Sequence, residues 1–408
     1  MNCMEVEPGL YCVTLEIQIP RELSDEFVSK LPYLSESLVD FHLDADRNEL
    51  RFRCSGDAAE AGVIAERIVE SAHKLVENFR GRTVRTLVSR DRPVTFKEDP
   101  HPLLEASGDL VRFGVGRVGL GPLLVRLCDF FDGQLRRLAE DFAARAYQFP
   151  ALIGAEVLER CKYLKSFPHS LSLVSHLKED LRAIQEFART VHWERDSLAY
   201  EGDALSKVQC LLSPTICFHC YAWLQGASLP HPQSFTAVGR CFRYESGNLG
   251  GLERLWDFTM REIIFVGPED YVLAQRAKAI DKTVELLDEW QLSFDISTAT
   301  DPFFIDEYSM ASFQAAFELK YEIQARLPYR EKSTAVGSFN FHRDLFGRSL
   351  NITDTAGQPL TTGCVGFGLE RLALAFLAQH GLDTRRWPRS VAEVFDRAWS
   401  RNNERSND

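Results

Sequence analysis

The stretch GRCFRYESGNLGGLERLWDFTMREIIFVG, residues 239–267, passes from an aromatic segment through a glycine-rich loop into an apolar segment. That order predicts a long antiparallel hairpin. Arg243 stands at the base of the loop and Arg254 within it, and a planar guanidinium suits bidentate contact with phosphate. Alone, the segment also fits a hairpin with solvated arginines.

A second stretch, TTGCVGFGLERLALAFLAQHG at 361–381, reads as a glycine-rich apolar strand leading into a helix that begins near Gly368. Arg371 then falls in the first helical turn, where a cation opposes the helix dipole, so the placement calls for an anion nearby. Each signal is moderate in isolation.

Together, in this order and about a hundred residues apart, the two stretches resemble motifs 2 and 3 of the class II aminoacyl-tRNA synthetases. The resemblance implies an α+β fold, an antiparallel sheet flanked by helices. It also implies that Arg243 holds the ATP α-phosphate and the amino-acid carboxylate, while Glu245 contacts the adenine. Phe258 and Arg371 would sandwich the ring, Arg371 also reaching the γ-phosphate; Arg254 would touch the outer phosphates, and Leu255 belongs to the same nucleotide-binding set. Such chemistry works by positioning and electrostatics, with Arg243 and Arg371 as the catalytic cations and no general base.

Across roughly residues 100–390 the segments CKYLKSFPHS, FRYES, FTMREIIFVG, ATDPFF, GSFNFHRDLFG and TTGCVGFGLERLALA are similar to the amino acid:[carrier protein] ligases, homologues of the catalytic core of the atypical zinc-dependent seryl-tRNA synthetases. By that resemblance Cys217, Glu262 and Cys364 would hold one Zn²⁺, with Glu262 also beside the substrate amino acid. Three protein ligands leave a position open for an α-amine, the mark of a functional site. Glu322 would bind Mg²⁺-ATP, and the backbone and side chains of Gly337, Ser338, Phe339 and Asn340 would line the nucleotide site. His342 and Arg343 acquire no role.

The rest of the chain frames that reading. Its 408 residues are 45% hydrophobic and 26% charged, globular composition sufficient for two domains. No run of about 18 apolar residues appears, and the acidic start MNCMEVEPGL is unlike a leader peptide, so a cytoplasmic protein with no membrane role is expected. Ten irregularly spaced cysteines point to reduced thiols; Cys128, Cys161, Cys210 and Cys241 read as small buried hydrophobes. A net charge of −12 gives no general attraction for nucleic acid.

Residues 1–98 read as a small α+β domain of unassigned role and 99–408 as the catalytic domain, with the Pro-rich SRDRPVTFKEDPHP, 89–102, as linker. In the first part, GLYCVTLEIQIP alternates like a strand, SDEFVSKL opens a helix with Ser24 as cap, and LVDFHLDADRNELRFRC forms a hairpin. A helix over DAAEAGVIAERIVESAHKLVENF gathers Val63, Ile64, Ile68, Ala72, Leu75 and Val76 near one face. The first fifty residues contain 11 acids and 3 bases, a poor surface for nucleic acid and a tolerable one for protein. Later, HLKEDLRAIQEFARTVHWERD reads as one polar surface helix.

Cys217-Phe218-His219-Cys220 admits half a zinc ribbon, a redox pair or unrelated thiols. No second pair completes a ribbon, and the segment reads as a strand rather than the helix N-terminus a redox pair needs. On a strand, i and i+3 face opposite sides, so Cys217 faces the site and Cys220 the core. His219 and Trp223 read as packed residues.

The leading function is ATP-dependent adenylation of a small amino acid and its transfer to the phosphopantetheine thiol of a carrier protein, by a homodimer whose motif 1 lies over 135–153. A zinc-dependent seryl-type tRNA synthetase is the second. The chain has neither the coiled-coil arm of the common seryl-tRNA synthetases nor a lysine in its glycine-rich motif 2 loop, SGNLGGLE, which makes tRNA an unexpected partner. The third is a catalytically silent paralogue, against which Arg243, Glu245, Glu322 and Arg371 all stand intact.

Overall fold

A computed structural model describes residues 3–77, 84–94, 96–299 and 318–395. The ATDPFF segment from Thr300 onward lies outside the described residues.

The N-terminal layer is a four-stranded antiparallel sheet of β1 (Cys3–Glu7), β2 (Leu10–Thr14), β3 (Leu38–Asp44) and β4 (Glu49–Cys54) in the order β1-β2-β4-β3. The β3–β4 hairpin closes with Asn48 at φ 58°, its amide donating to the carbonyls of Leu15 and Ile17. Helices α1 (Arg21–Lys30) and α2 (Ala58–Glu77) complete a separate core around Phe27, Phe52 and Ile68. Ser24 lies inside α1, its hydroxyl turned back to the Pro20 carbonyl, so the helix starts before the expected cap. On α2 the buried stripe runs through Ala61, Ile64, Ala65, Ile68, Val69, Ala72 and Leu75 and leaves Val63 exposed. Small alanines at helical spacing let the sheet approach closely, which apolar size alone does not reveal.

The second, larger layer is an eight-stranded sheet. It uses β5 (Thr86–Arg90), β6 (Arg145–Tyr147), β7 (Gln233–Phe242), β8 (Asp257–Gly267), β9 (Phe294–Thr298), β10 (Lys320–Leu327), β11 (Lys332–Arg343) and β12 (Thr361–Gly368). The order is β5-β9-β10-β11-β12-β8-β7-β6, antiparallel except where β6 joins β7. This is the antiparallel, helix-flanked architecture the motifs imply. Strand β5 corrects the domain boundary: Ser89 and Arg90, assigned to the linker, pair with Asp295 and Phe294 at the sheet edge. The change of layer therefore precedes residue 86. A polar edge strand reads like a linker because one side of it stays in water.

Helix α3 (Pro122–Glu140) packs on the sheet and is tied to β8 by the Asp132–Arg261 pair, with bonds of 2.7 and 2.8 Å to a buried guanidinium. Helix α4 (Leu181–Thr190) takes up only ten residues of the polar segment 176–196, and His192–Glu194 and Ser197–Ala199 form a hairpin instead of continuing it. Helix α5 (Cys217–Trp223) replaces the strand expected over CFHC. Helix α6 (Glu269–Glu289) follows the motif 2 hairpin, and α7 (Leu369–His380), buried from Leu369 to Gln379 apart from Arg371, packs against the central strands. The main core gathers Phe131, Trp290, Phe339 and Phe376. Of the four cysteines expected to be buried, Cys161 and Cys241 are, whereas Cys128 and Cys210 are partly exposed. No helix among the described residues is long and apolar enough to cross a membrane.

Candidate active site

The hairpin β7–β8 pairs in register from Gln233↔Val266 to Phe242↔Asp257. On its other side β8 pairs with β12 so that Glu262 lies opposite Gly366 and Ile264 opposite Cys364. Gly366 keeps that crossing open: a Cβ there would lie 2.9 Å from Met260 Cε and 3.4 Å from Glu262 Cγ. Bare backbone on β12 therefore makes room for a buried carboxylate on β8.

Into that room α5 delivers its first residue. Cys217, Glu262 and Cys364, all buried, bring one ligand atom each within 4.8 Å of one another. Glu262 is held from three directions, accepting from the Thr215 hydroxyl, from Ile216 N–H at 3.1 Å and from Cys217 N–H at 3.0 Å. Burial first, and the neighbouring Cys364 second, push its carboxyl up to about 7. Burial likewise raises the Cys217 thiol, while the hydrogen bond from Cys217 holds Cys364 well below its ordinary value. Two sulfurs and a carboxylate this close in a dry interior repel one another once deprotonated. A dication relieves that repulsion, and tetrahedral Zn²⁺ with bonds of about 2.3 Å to sulfur fits the donor type and separation. Cys364 also accepts from Asn340 Nδ2 at 3.5 Å and lies 4.0 Å from His342 Nε2, whose other nitrogen lies 3.3 Å from the Tyr221 hydroxyl and 3.2 Å from Thr362 Oγ1.

The helical geometry of α5 changes the argument for the CFHC pair. Residues i and i+3 of a helix share a side, so opposite faces of a strand do not separate the two thiols. Cys220 is nevertheless outside the cluster, fully buried, with its thiol raised first by burial and then by Glu262. A redox pair at a helix start needs a lowered thiol, and burial works against it here. His219 stacks on Phe149 at 5.7 Å, and half-exposed Trp223 packs on Tyr147 and Phe235.

The second group of side chains lies along the loop of the hairpin. Arg243 lies 5.5 Å from the Phe258 ring and donates to the Pro214 carbonyl at 3.0 Å. Glu245 pairs with Arg254. Burial raises the Glu245 carboxyl, but Arg254, Arg371 and Arg243 outweigh it and hold the group below its ordinary value. Arg371 donates to the Glu253 and Ala335 carbonyls. Burial lowers it, and the charge of Glu245 opposes that. A small cavity between Leu252, Leu255, Phe258, Gly368, Glu370 and Arg371 joins the two motifs.

Glu322 on β10 is bound to Lys320 at 2.9 Å and to Gln324 at 2.8 Å, and its charge is felt at Arg371. On β11 the expected lining residues divide by alternation. Asn340 bonds the Ser338 hydroxyl at 3.1 Å and reaches Cys364. The Phe339 side chain instead fills the main core, which leaves only its backbone on the site side and corrects the expectation for its ring. Gly337, where a Cβ would come 2.8 Å from the Gly366 carbonyl, keeps β11 and β12 close.

Several residues escaped the sequence reading. Thr215 orients Glu262. Glu370 accepts from Thr259 N–H at 2.9 Å and Thr259 Oγ1 at 2.8 Å, fixing the start of β8 to α7. Asp99 and His101 hold the loop, His101 Nε2 accepting from Leu252 N–H at 3.0 Å. His342 was within reach: one further step of two from Ser338 and Asn340 lands on it.

Fold and site together define a class II synthetase-type catalytic core. The family model tRNA synthetase class II core domain (G, H, P, S and T) matches residues 205–380. The chain is 36% identical to amino acid–[acyl-carrier-protein] ligase 2 of Bradyrhizobium diazoefficiens over 257 residues, 61% of this chain and 73% of that protein. It therefore belongs to the amino acid–[acyl-carrier-protein] ligase family. It is also 24% identical to the type-2 serine–tRNA ligase of Methanothermobacter thermautotrophicus over 404 residues, 93% of this chain and 77% of that one. The seryl-tRNA synthetase of M. kandleri, solved in complex with A. aeolicus tRNASec, shares the fold with a TM-score of 0.68 at 20% identity, over 96% of this chain and 78% of that one.

Proposed function

We propose that this ligase uses Mg²⁺-ATP to convert a small amino acid to its aminoacyl-adenylate and transfers the acyl group to the phosphopantetheine thiol of a carrier protein. The observation that carries the reading is the buried convergence of Cys217, Glu262 and Cys364 on the strands that run on into Arg243 at the motif 2 loop and Arg371 in α7.

Cys217, Glu262 and Cys364 would hold Zn²⁺, which supplies an open, electrophilic position for the substrate α-amine and so selects amino acids over plain acids. Thr215 and the N–H groups of Ile216 and Cys217 fix the Glu262 carboxylate, and Asn340 orients Cys364. Arg243, set by the Pro214 carbonyl and the Phe258 ring, binds the substrate carboxylate and the α-phosphate together. A carboxylate oxygen then attacks the α-phosphorus in line, the bond to the β-phosphate bridging oxygen breaks, and pyrophosphate leaves. Arg371 and Arg254 stabilise the charge that spreads onto the outer phosphates. Glu245 and the backbone of β11 hold the nucleoside, and Glu322 takes part in binding the metal–nucleotide once Lys320 releases it. In the second step the carrier thiolate attacks the adenylate carbonyl and the bond to the phosphate oxygen breaks. A thioester forms and AMP leaves as the anion.

The second reading, a seryl-type tRNA ligase, is favoured by one observation: the type-2 serine–tRNA ligase resembles nearly the whole chain, N-terminal layer included. The acid excess of that layer speaks against a phosphate-backbone partner. Amino-acid-dependent exchange of pyrophosphate into ATP over a panel of amino acids tests the activation half. Exchange with one or a few small amino acids is expected; none with any of them refutes both readings.

A further inference from the structure

Among the described residues the N-terminal layer supplies none of the side chains of the candidate site, yet its tip touches the motif 2 loop. Its tip, the turn from α1 through Leu31–Tyr33, lies on the Ser246–Asn248 turn of the motif 2 loop. Asn248 Nδ2 donates to the Ser29 carbonyl at 2.8 Å. Gly247 lies flat against Pro32, and a Cβ there would stand 3.2 Å from its ring carbons. The Tyr33 ring packs edge-on against His169 at 5.1 Å. Its hydroxyl hydrogen-bonds the Asn248 amide, while burial first and the adjacent Glu245 charge second push it up to about 12, so it stays protonated. The tip is itself fixed to its own layer, Arg67 donating to the Leu34 carbonyl at 2.7 Å.

These contacts fall beside Glu245, which pairs with Arg254 across the loop. Ser246 sits at φ 50°, a left-handed conformation that an L side chain rarely adopts without support. Charge disfavours the usual alternative for such an appendage, an arm that grips nucleic acid. Residues 1–77 hold 16 Asp and Glu against 7 Lys and Arg, so most of the formal charge of −12 lies there.

We propose that the N-terminal layer is a cis-acting part of the nucleotide site, in which Ser29, Pro32 and the positioning residue Tyr33 fix the 246–248 turn and through it the Glu245–Arg254 pair. The inference rests on the reading of Glu245 and Arg254 as nucleotide contacts. It assigns the appendage to ATP binding, and to neither amino-acid choice nor delivery of an acceptor.

The test compares full-length wild type with Tyr33→Ala, Tyr33→Phe and Asn248→Ala, each checked by thermal melting. ATP affinity is read by calorimetry, and the separate KM values for ATP and amino acid by pyrophosphate exchange. Loss of one such hydrogen bond and its packing is expected to weaken ATP roughly tenfold in Tyr33→Ala and Asn248→Ala. The KM for the amino acid and the zinc content should stay at the wild-type level, and Tyr33→Phe, which keeps the ring, should fall between. Unchanged ATP affinity in both Asn248→Ala and Tyr33→Phe with wild-type melting curves overturns the inference. An equal rise in both KM values overturns it too, because it marks a general loosening of the fold. If wild type binds ATP but supports no exchange, the ligase reading fails, while the calorimetric comparison still decides the role of the tip.

Discussion

The cradle of Cys217, Glu262 and Cys364 and the charged group formed by Glu245 and Arg254 on the motif 2 loop with Arg371 on α7 are the two parts of the candidate site, and they are built on opposite plans. The cradle is made from regular elements, the start of α5 and the middles of β8 and β12, and is closed to water. It gathers potentially negative groups that repel one another. The loop is cationic, partly open, and held by hydrogen bonds from both neighbouring layers. One plan fixes a small rigid ligand set, and the other meets a large, highly charged substrate. Damage to the cradle should therefore remove activity outright, whereas damage to the loop should be graded.

The largest effect is expected for Cys217→Ser or Cys364→Ser. Either should abolish amino-acid activation and reduce metal content from about one ion per chain to near zero, measured by exchange kinetics beside elemental analysis. Next come Arg243→Ala and Arg371→Ala, expected to lower kcat/KM by about 10²–10³ with zinc content unchanged; loss of zinc in these variants would merge the two regions into one. Thr215→Val removes only a support of Glu262 and should weaken metal binding about 10–100-fold, read by competition with a chelator.

A smaller effect follows from pH. The Glu245 carboxyl is depressed in the folded chain, so its contribution to stability is present above its unfolded value of about 4.3. It is lost as pH falls through the lower folded value. Acid melts of wild type and Glu245→Gln should therefore converge only below the usual carboxylate range. The smallest effect belongs to Cys220→Ser, which buries a hydroxyl at a cost of about 1–3 kcal/mol and should leave activation and zinc content intact. Equal loss at 217, 220 and 364 would show a fourth ligand.

The motif 2 hairpin and the motif 3 strand and helix were legible because each is a local pattern, glycine-rich turns between long apolar runs, and β-pairing follows directly. The ligand set was not legible from spacing: residues 217, 262 and 364 are joined only by the sheet register, and family resemblance alone had grouped them. ICFHCYAWL is apolar except for His219, so neither the helical nor the strand period shows, and α5 was read as a strand. Strand β5 was hidden by the polarity of an edge strand. Phe339 was grouped with its neighbours as a lining residue, although alternation puts its ring with the core. Long-range supports such as Thr215, Glu370, His101 and Tyr33 carry no sequence signal, because each depends on contacts that only the folded chain creates.

The most direct test of the central claim is intact mass spectrometry of the acceptor. The enzyme is charged with Mg²⁺-ATP and its preferred amino acid, then offered holo-carrier protein, apo-carrier protein and tRNA in parallel. The account predicts that only holo-carrier gains the aminoacyl mass, in a hydroxylamine-labile thioester. Aminoacyl-tRNA formed while the holo-carrier stays unmodified would contradict it.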